Sequence, residues 1–234
     1  MAERILLVDD EQEIADLLEV YLTSDGYEVE KFYQGKPALE SMANNQFDLA
    51  VLDVMLPDID GFQMVKKARE KYFFPIILLT AKIEDIDKIT GLTLGADDYI
   101  TKPFNPLEVV ARIKTQLRRF RKYNSQASLQ QETEGTEIDI HGLVINKIHH
   151  TSKLYGEDIF LTPLEFSILW YLAERQGEVV PAVILFEEIW GEKYLENNGN
   201  TVMAHIGRLR EKLKEPPRKP KFIKTVWGVG YKID

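Results

Sequence analysis

Five side chains in this sequence could do phosphoryl chemistry together, and each stands at the end of a short apolar run. Asp9 and Asp10 follow RILLV, Asp53 closes FDLAVLD, Thr80 closes PIILLT, and Lys102 follows DDYIT. Three crowded carboxylates repel one another unless a cation lies among them, and an oxygen-only donor set favours Mg2+. Such an ion lets an anionic phosphoryl group approach an anionic carboxylate. Asp53 is then the candidate nucleophile, forming an acyl phosphate. Thr80 can donate to one phosphoryl oxygen and Lys102 can pair with another. Each residue also has a plainer reading: Asp53 ends a strand, Thr80 bonds its own backbone, and Lys102 is a solvated lysine. Five together at four strand ends carry the argument.

The elements that must position them are legible in the hydrophobic pattern. Strands are expected over 4–8, 27–32, 47–53, 75–80 and 98–101. Ile14, Leu17, Leu18, Tyr21 and Leu22 follow helical spacing, and further helices are expected over 36–45, 62–71, 84–94 and 105–121. Strand–helix alternation five times over gives a doubly wound α/β domain with a parallel sheet. In such a sheet the strand tips open on one edge, where α/β folds place their ligands. The fully apolar run PIILLT belongs at the centre.

The 234 residues fit two small domains, each with its own core. Boundaries are expected at 1–121 and 137–234, with a Gln-, Ser-, Glu- and Thr-rich linker over 122–136. Zero cysteines exclude disulfides and Cys-ligated zinc. No apolar run reaches about 18 residues, so no membrane span is expected. The first strand begins after three residues, so no signal peptide is expected, and the protein is read as cytoplasmic. The net charge of −9 hides a basic end: residues 200–233 hold 9 basic and 2 acidic side chains, a net +7. That concentration points to a local polyanion site.

In the second half, short strands are expected over 137–140, 143–147, 153–155 and 159–161. Thr162-Pro163-Leu164-Glu165 then reads as a capping box. Helices follow behind it, over 182–190, and over 201–214 with Asn200 as its cap. A hairpin over 222–226 and 230–233 closes the chain. Val202, Ile206, Leu209 and Leu213 mark the inward face of the third helix, leaving His205, Arg208, Arg210, Lys212 and Lys214 for the outward one. Three helices and a hairpin suggest a winged helix-turn-helix, with the basic helix fitting a major groove and Lys221 and Lys224 reaching phosphates. The plainer reading is a solvated basic face.

The motifs VDD, LDVMLPDIDG, LTA and DDYITKPF resemble the receiver domain of two-component response regulators. The resemblance implies a sensor histidine kinase as phosphodonor, Mg2+ as metal and Asp53 as acceptor. It further implies metal ligation by Asp9, Asp10, Asp53 and the Met55 backbone carbonyl, switch residues Thr80 and Tyr99, and a cis Lys102–Pro103 bond. LTPLEFSIL, NTVMAHIGRLREKL and TVWGVGYKI resemble the effector domain of the OmpR/PhoB family, and within it the wording is similar to VanR-type regulators of glycopeptide resistance. That implies direct-repeat promoter DNA bound by head-to-tail dimers, and contact with RNA polymerase. By position, Ala204, His205, Arg208, Arg210, Lys224, Thr225 and Trp227 match DNA-contacting sites. Lys88, Asp97, Asp98, Glu108, Arg112 and Arg119 match the charged face of a homodimer formed on phosphorylation. Three positions depart from the pattern: Gly207 stands where Arg is common, Trp227 where a wing Arg is frequent, and Pro181 where a capping Ser is usual.

Two other classes compete with a phosphorylation-controlled transcription factor. A phosphohydrolase with the same aspartyl chemistry wants a second acid two residues after the nucleophile, and Met55 stands there. A phosphorylation-independent scaffold would have no use for an intact pocket. No P-loop motif G-x-x-x-x-G-K occurs, and Gly228-Val-Gly230 lies between late strands, not at a dinucleotide site. The reading is therefore a regulator that accepts a phosphoryl group and is not an enzyme acting on other substrates.

Overall fold

A computed structural model describes residues 2–81, 94–126, 136–191, 193–194, 198–216 and 219–234. The helix expected over 84–94 lies almost wholly outside these residues, as does 127–135 of the expected linker. The chain divides into two compact units, Met1–Arg118 and Arg119–Asp234. Among the described residues no helix is long and apolar enough to cross a membrane.

Unit 1 is built on five strands, β1 (Arg4–Val8), β2 (Glu28–Phe32), β3 (Leu49–Asp53), β4 (Ile76–Thr80) and β5 (Asp98–Thr101). They form one parallel sheet in the order β2-β1-β3-β4-β5. Its helices are α1 (Gln12–Ser24), α2 (Gly35–Asn44), α3 (Gly61–Arg69) and α4 (Pro106–Gln126), numbered among the described residues. One core gathers Ile5, Leu7, Leu49, Val51, Ile77 and Leu79 with α1 (Leu18, Leu22) and α4 (Val109, Ile113, Leu117). The alternate strand residues Leu6, Ala50, Leu52 and Leu78 are buried as well. Both faces are thus covered, as the continuous apolar runs require. The α4 helix runs on to Gln126, past the expected 121, because its polar C-terminal sequence contains no Gly or Pro to stop it.

The strand order reverses at β1, so β1 and β3 flank the switch point of a doubly wound sheet. Val8 pairs with Leu52 in register, which sets Asp9 beside Asp53, each one residue further on. Thr80 and Thr101 end β4 and β5 side by side. Topology alone delivers the chemistry to one edge.

Unit 2 opens with four antiparallel strands, β6 (Glu137–Ile140), β7 (Leu143–Asn146), β8 (Thr151–Leu154) and β9 (Glu157–Ile159). Helices α5 (Pro163–Ala173), α6 (Ala182–Trp190) and α7 (Asn198–Lys212) follow, then the hairpin β11 (Ile223–Val226) and β12 (Gly230–Ile233). A short strand the sequence reading missed, β10 (Val180–Pro181), pairs with β12. A Cβ on Gly230 would lie 2.0 Å from the Val180 carbonyl oxygen, so only glycine permits this pairing. The capping box is present as read, with the Thr162 N–H donating to Glu165 Oε2 at 2.8 Å. Helix α7 starts at Asn198, ahead of the expected Asn200 cap. Pro181 supplies no side-chain cap to α6; the Val229 carbonyl in the hairpin turn accepts from the Ala182 N–H at 3.2 Å instead.

Candidate functional site

At the C-terminal edge of the parallel sheet, Asp9 and Asp53 are buried and Asp10 is exposed. One oxygen from each lies within 4.8 Å of the other two. Lys102 reaches into the group from the end of β5. Its Nζ lies 2.8 Å from Asp53 Oδ2, 2.9 Å from Asp9 Oδ2 and 2.9 Å from Glu11 Oε1. The Lys102–Pro103 bond is cis. Thr80 is buried at the end of β4, where its carbonyl accepts from the Lys102 N–H at 2.7 Å. Asp9, Asp10, Asp53 and Lys102 do meet, and Thr80 joins Lys102 through its backbone carbonyl. Glu11 joins them unforeseen, though the run Asp9-Asp10-Glu11 held the signal.

The electrostatics follow from this crowding. Burial pushes the Asp9 carboxyl up to about 6; Asp53 adds to the rise and Lys102 opposes it. Burial pulls the Lys102 ammonium down, but hydrogen bonds with Asp53, Glu11 and Asp9 outweigh that and raise it. Three acids share one ammonium and a fourth, Asp10, lies close by, a net negative cluster. All candidate donors are oxygen, so the residues fit a hard divalent cation such as Mg2+.

The loop after β3 is held by its own acids. Asp53 Oδ1 accepts from the Met55 N–H at 3.1 Å, and Asp60 caps α3 by accepting from the Phe62 N–H at 2.7 Å. Asp58 accepts from the N–H groups of Gly35 and Lys36, both at 2.8 Å, tying the loop to the start of α2. A Cβ on Gly61 would stand 2.2 Å from the Asp53 carbonyl oxygen. That glycine lets α3 begin against the strand end that carries Asp53. Met55 is 56% exposed and stands at the mouth.

The expected dimer face divides in the structure. Asp98, Glu108 and Arg112 form a connected set, with Arg112 3.0 Å from Asp98 and 3.2 Å from Glu108. Asp97 is 1% exposed and pairs with Arg69 at 2.5 Å while accepting from the Ile76 N–H at 2.8 Å. Its role there is to fasten β4 and α3 to the start of β5. Tyr99 is half-buried in β5. Lys88 lies outside the described residues, and only the helical backbone is described at Arg119.

The expected outward face of α7 is corrected more strongly. His205 is fully buried with its ring 5.4 Å from that of Trp190, and Ala204 and Arg208 are buried too. Arg208 pairs at 2.7 Å with Glu165, which also binds Lys212 at 2.6 Å. Burial pushes the Glu165 carboxyl up, but the charges of Arg208 and Lys212 outweigh it and hold it below the usual range. Arg210 donates to the Ile223 carbonyl at 2.7 Å and to Thr225 Oγ1 at 2.8 Å, bracing the hairpin. Lys224 pairs with Asp234 at 2.5 Å. What α7 leaves outward is Met203, Gly207 and Glu211, with Arg210 and Lys212 half-buried and Lys214 exposed just beyond the helix. Trp227 at the hairpin tip is 90% exposed. Between α7 and the hairpin runs a groove of about 560 Å³ lined by Met203, Gly207, Arg210, Thr225 and Trp227.

Residues 5–114 match the family described as response regulator receiver domain, and residues 156–233 match transcriptional regulatory protein, C terminal. The chain is 60% identical to the regulatory protein VanRc of Enterococcus gallinarum and 51% identical to the regulatory protein VanR of Enterococcus faecium, both over the full length of each chain. Among solved structures, DrrB of Thermotoga maritima, an OmpR/PhoB homolog, aligns over 100% of this chain and 99% of its own. It is 34% identical, with a TM-score of 0.52. A mutant of RitR aligns over the same shares at 28% identity with a TM-score of 0.75.

Proposed function

Because the chain belongs to the two-component response regulators with an OmpR-type DNA-binding domain, we propose that Asp53 accepts the phosphoryl group that controls it. The observation that carries this reading is the position of Lys102, whose ammonium lies within 2.9 Å of both Asp9 and Asp53. A carboxylate oxygen of Asp53 attacks the phosphorus of a phosphohistidine on a sensor kinase; the P–N bond breaks and the imidazole leaves. Lys102 balances charge on the incoming group, and Thr80 donates its hydroxyl to a phosphoryl oxygen. Asp9, Asp10, Asp53 and the Met55 carbonyl would hold Mg2+, which when bound neutralises phosphoryl charge. Phosphorylated Asp53 draws on Thr80 and, through it, Tyr99, so that Asp98, Glu108 and Arg112 exchange partners across a homodimer.

Unit 2 then binds direct-repeat promoter DNA and engages RNA polymerase, in the cytoplasm. The DNA-facing groups are those left outward: Met203, Gly207, Arg210, Thr225, Lys224 and Trp227. Ala204, His205 and Arg208 act from behind, holding α7 in place, so Arg208→Ala lowers the stability of unit 2 first and DNA binding as a consequence. Working boundaries are 1–121 and 137–234 with the linker between.

Intact-protein mass after incubation with acetyl phosphate and Mg2+ tests the acceptor. One Mg2+-dependent phosphoryl adduct is expected on the wild type, accompanied by dimerisation and tighter DNA binding, and none on Asp53→Asn. An unchanged adduct on the variant, or none on the wild type, removes Asp53 from the switch.

A further inference from the structure

We propose that α7 reads its DNA site through an apolar niche, Met203 and Gly207, that takes the 5-methyl group of thymine. This rests on the reading of unit 2 as the DNA-binding unit and specifies what that unit recognises.

Three observations converge on the niche. First, charge does not dominate the outward centre of α7: Arg208 and Lys212 are turned onto Glu165, and Arg210 braces the hairpin through Ile223 and Thr225. The side chains best suited to a guanine edge are thereby committed inside the unit or held at the groove's side. Second, Gly207 has no reason within the chain to be glycine. It sits inside a helix, is exposed, and a Cβ built on it meets nothing within 4 Å. A mid-helix glycine costs about 1 kcal/mol against alanine, so an unforced one in the reading face is explained by close approach of a partner to the backbone. Third, Met203, one turn before it, is 50% exposed, an apolar and adaptable side chain at the rim of the same groove.

The occupant follows from the surroundings. The rim carries Arg210, and residues 200–233 hold a net +7, so the partner is a polyanion. Among base edges in the major groove, only thymine presents a methyl group, and it is read by apolar contact. An apolar Met–Gly niche beside Arg210 matches that group in polarity.

Uracil in place of thymine removes this methyl and leaves the Watson–Crick pairing intact, which gives a clean test. Full-length chain treated with acetyl phosphate and Mg2+ would be used to select a binding sequence from a random duplex pool. Each thymine of that sequence would then be replaced singly by uracil. We expect at least one position per half-site where uracil weakens binding about fourfold, the worth of one buried methyl-sized group. Met203→Ala should weaken binding to the thymine duplex by a similar factor and bind thymine and uracil duplexes equally. Gly207→Ala should unfold at a higher temperature than the wild type and bind thymine DNA less tightly. Sequence-selective binding with no uracil-sensitive position overturns the niche and leaves the DNA-binding reading standing. Failure to select any sequence overturns both.

Discussion

Two buried ionic clusters among the described residues have opposite compositions, and the contrast separates an open site from an enclosed one. In unit 1 a single ammonium, Lys102, is shared among Asp9, Glu11 and Asp53, with Asp10 close by. In unit 2 a single carboxylate, Glu165, is shared between Arg208 and Lys212. Burial does not distinguish them, since Asp53 is 2% exposed and Glu165 0%. Saturation and access do. Glu165 also caps a helix, so both its oxygens are committed within the fold. The acids of unit 1 exceed their counter-charge and open to solvent through Asp10 and Glu11. An acid-rich, accessible cluster is poised to bind a cation; an enclosed one whose carboxylate is committed within the fold holds helices together.

The largest effect should come from breaking the enclosed cluster. Glu165→Gln leaves Arg208 and Lys212 facing each other without a counter-charge, at a cost of about 3 to 5 kcal/mol. All three tryptophans (Trp170, Trp190 and Trp227) lie in unit 2, so tryptophan fluorescence during denaturant unfolding reports that unit alone. Asp53→Asn in unit 1 should behave differently. The amide still accepts from Met55 while one repelling charge disappears, so stability should change by less than about 1 kcal/mol, near the worth of one hydrogen bond. Equal losses in the two variants would abolish the distinction between the clusters.

Acid should find the same difference. The Glu165 carboxyl in the folded state lies below its usual range, so the unfolded chain takes up its proton first. The stabilisation is complete above the unfolded value of about 4.3 and is lost as pH falls through the folded one. Tryptophan-detected stability of unit 2 should therefore be flat near neutrality and drop below about pH 4. In Glu165→Gln that drop should be much reduced; an identical acid limb in both proteins would assign it to other groups.

Magnesium should act on unit 1 only. A cation that binds the folded pocket at ten times its dissociation constant stabilises by about 1.4 kcal/mol through mass action. Hydrogen exchange of amides in β1 and β3, with and without a chelator, measures it. Protection should rise with Mg2+ in unit 1, remain unchanged in unit 2, and respond less in Asp53→Asn. A uniform response across both units would mark a general salt effect.

The two clusters were not equally legible in the sequence. The pocket was readable because topology places it: once five apolar runs alternate with helices, parallel strand tips must share an edge, and the residue types at the tips declare the chemistry. Glu11 escaped because it lies beyond the strand. The Glu165 cluster was hidden because its partners are 43 and 47 residues away, and a basic side chain on a helix ordinarily means solvent. Taking Val202, Ile206, Leu209 and Leu213 as one inward stripe assumed that α7 packs on a single side. It packs against both α5 and α6, so Ala204, His205 and Arg208 are buried as well. Asp97 was misplaced likewise, its Arg69 partner lying 28 residues earlier in α3. Local pattern shows which face is apolar; it does not show how many neighbours a helix has.

The smallest expected effect on stability belongs to a residue outside both clusters. Trp227 is 90% exposed at the tip of a turn whose geometry comes from Gly228, at φ +74°, and from the Val229 N–H donating to the Val226 carbonyl at 3.0 Å. Neither depends on the indole, so Trp227→Ala should shift unit 2 stability by less than about 0.5 kcal/mol. Its emission should be that of a water-exposed indole in the free protein and should change when DNA fills the groove beside it. The variant should retain the cooperative unfolding of the wild type while losing affinity for DNA without altering which bases are preferred, since a hairpin tip that packs on sugar and phosphate contributes contact area and no base readout. A stability loss matching that of Glu165→Gln would instead make the indole part of the fold, and an altered base preference would make the hairpin, not α7 alone, a reader of sequence.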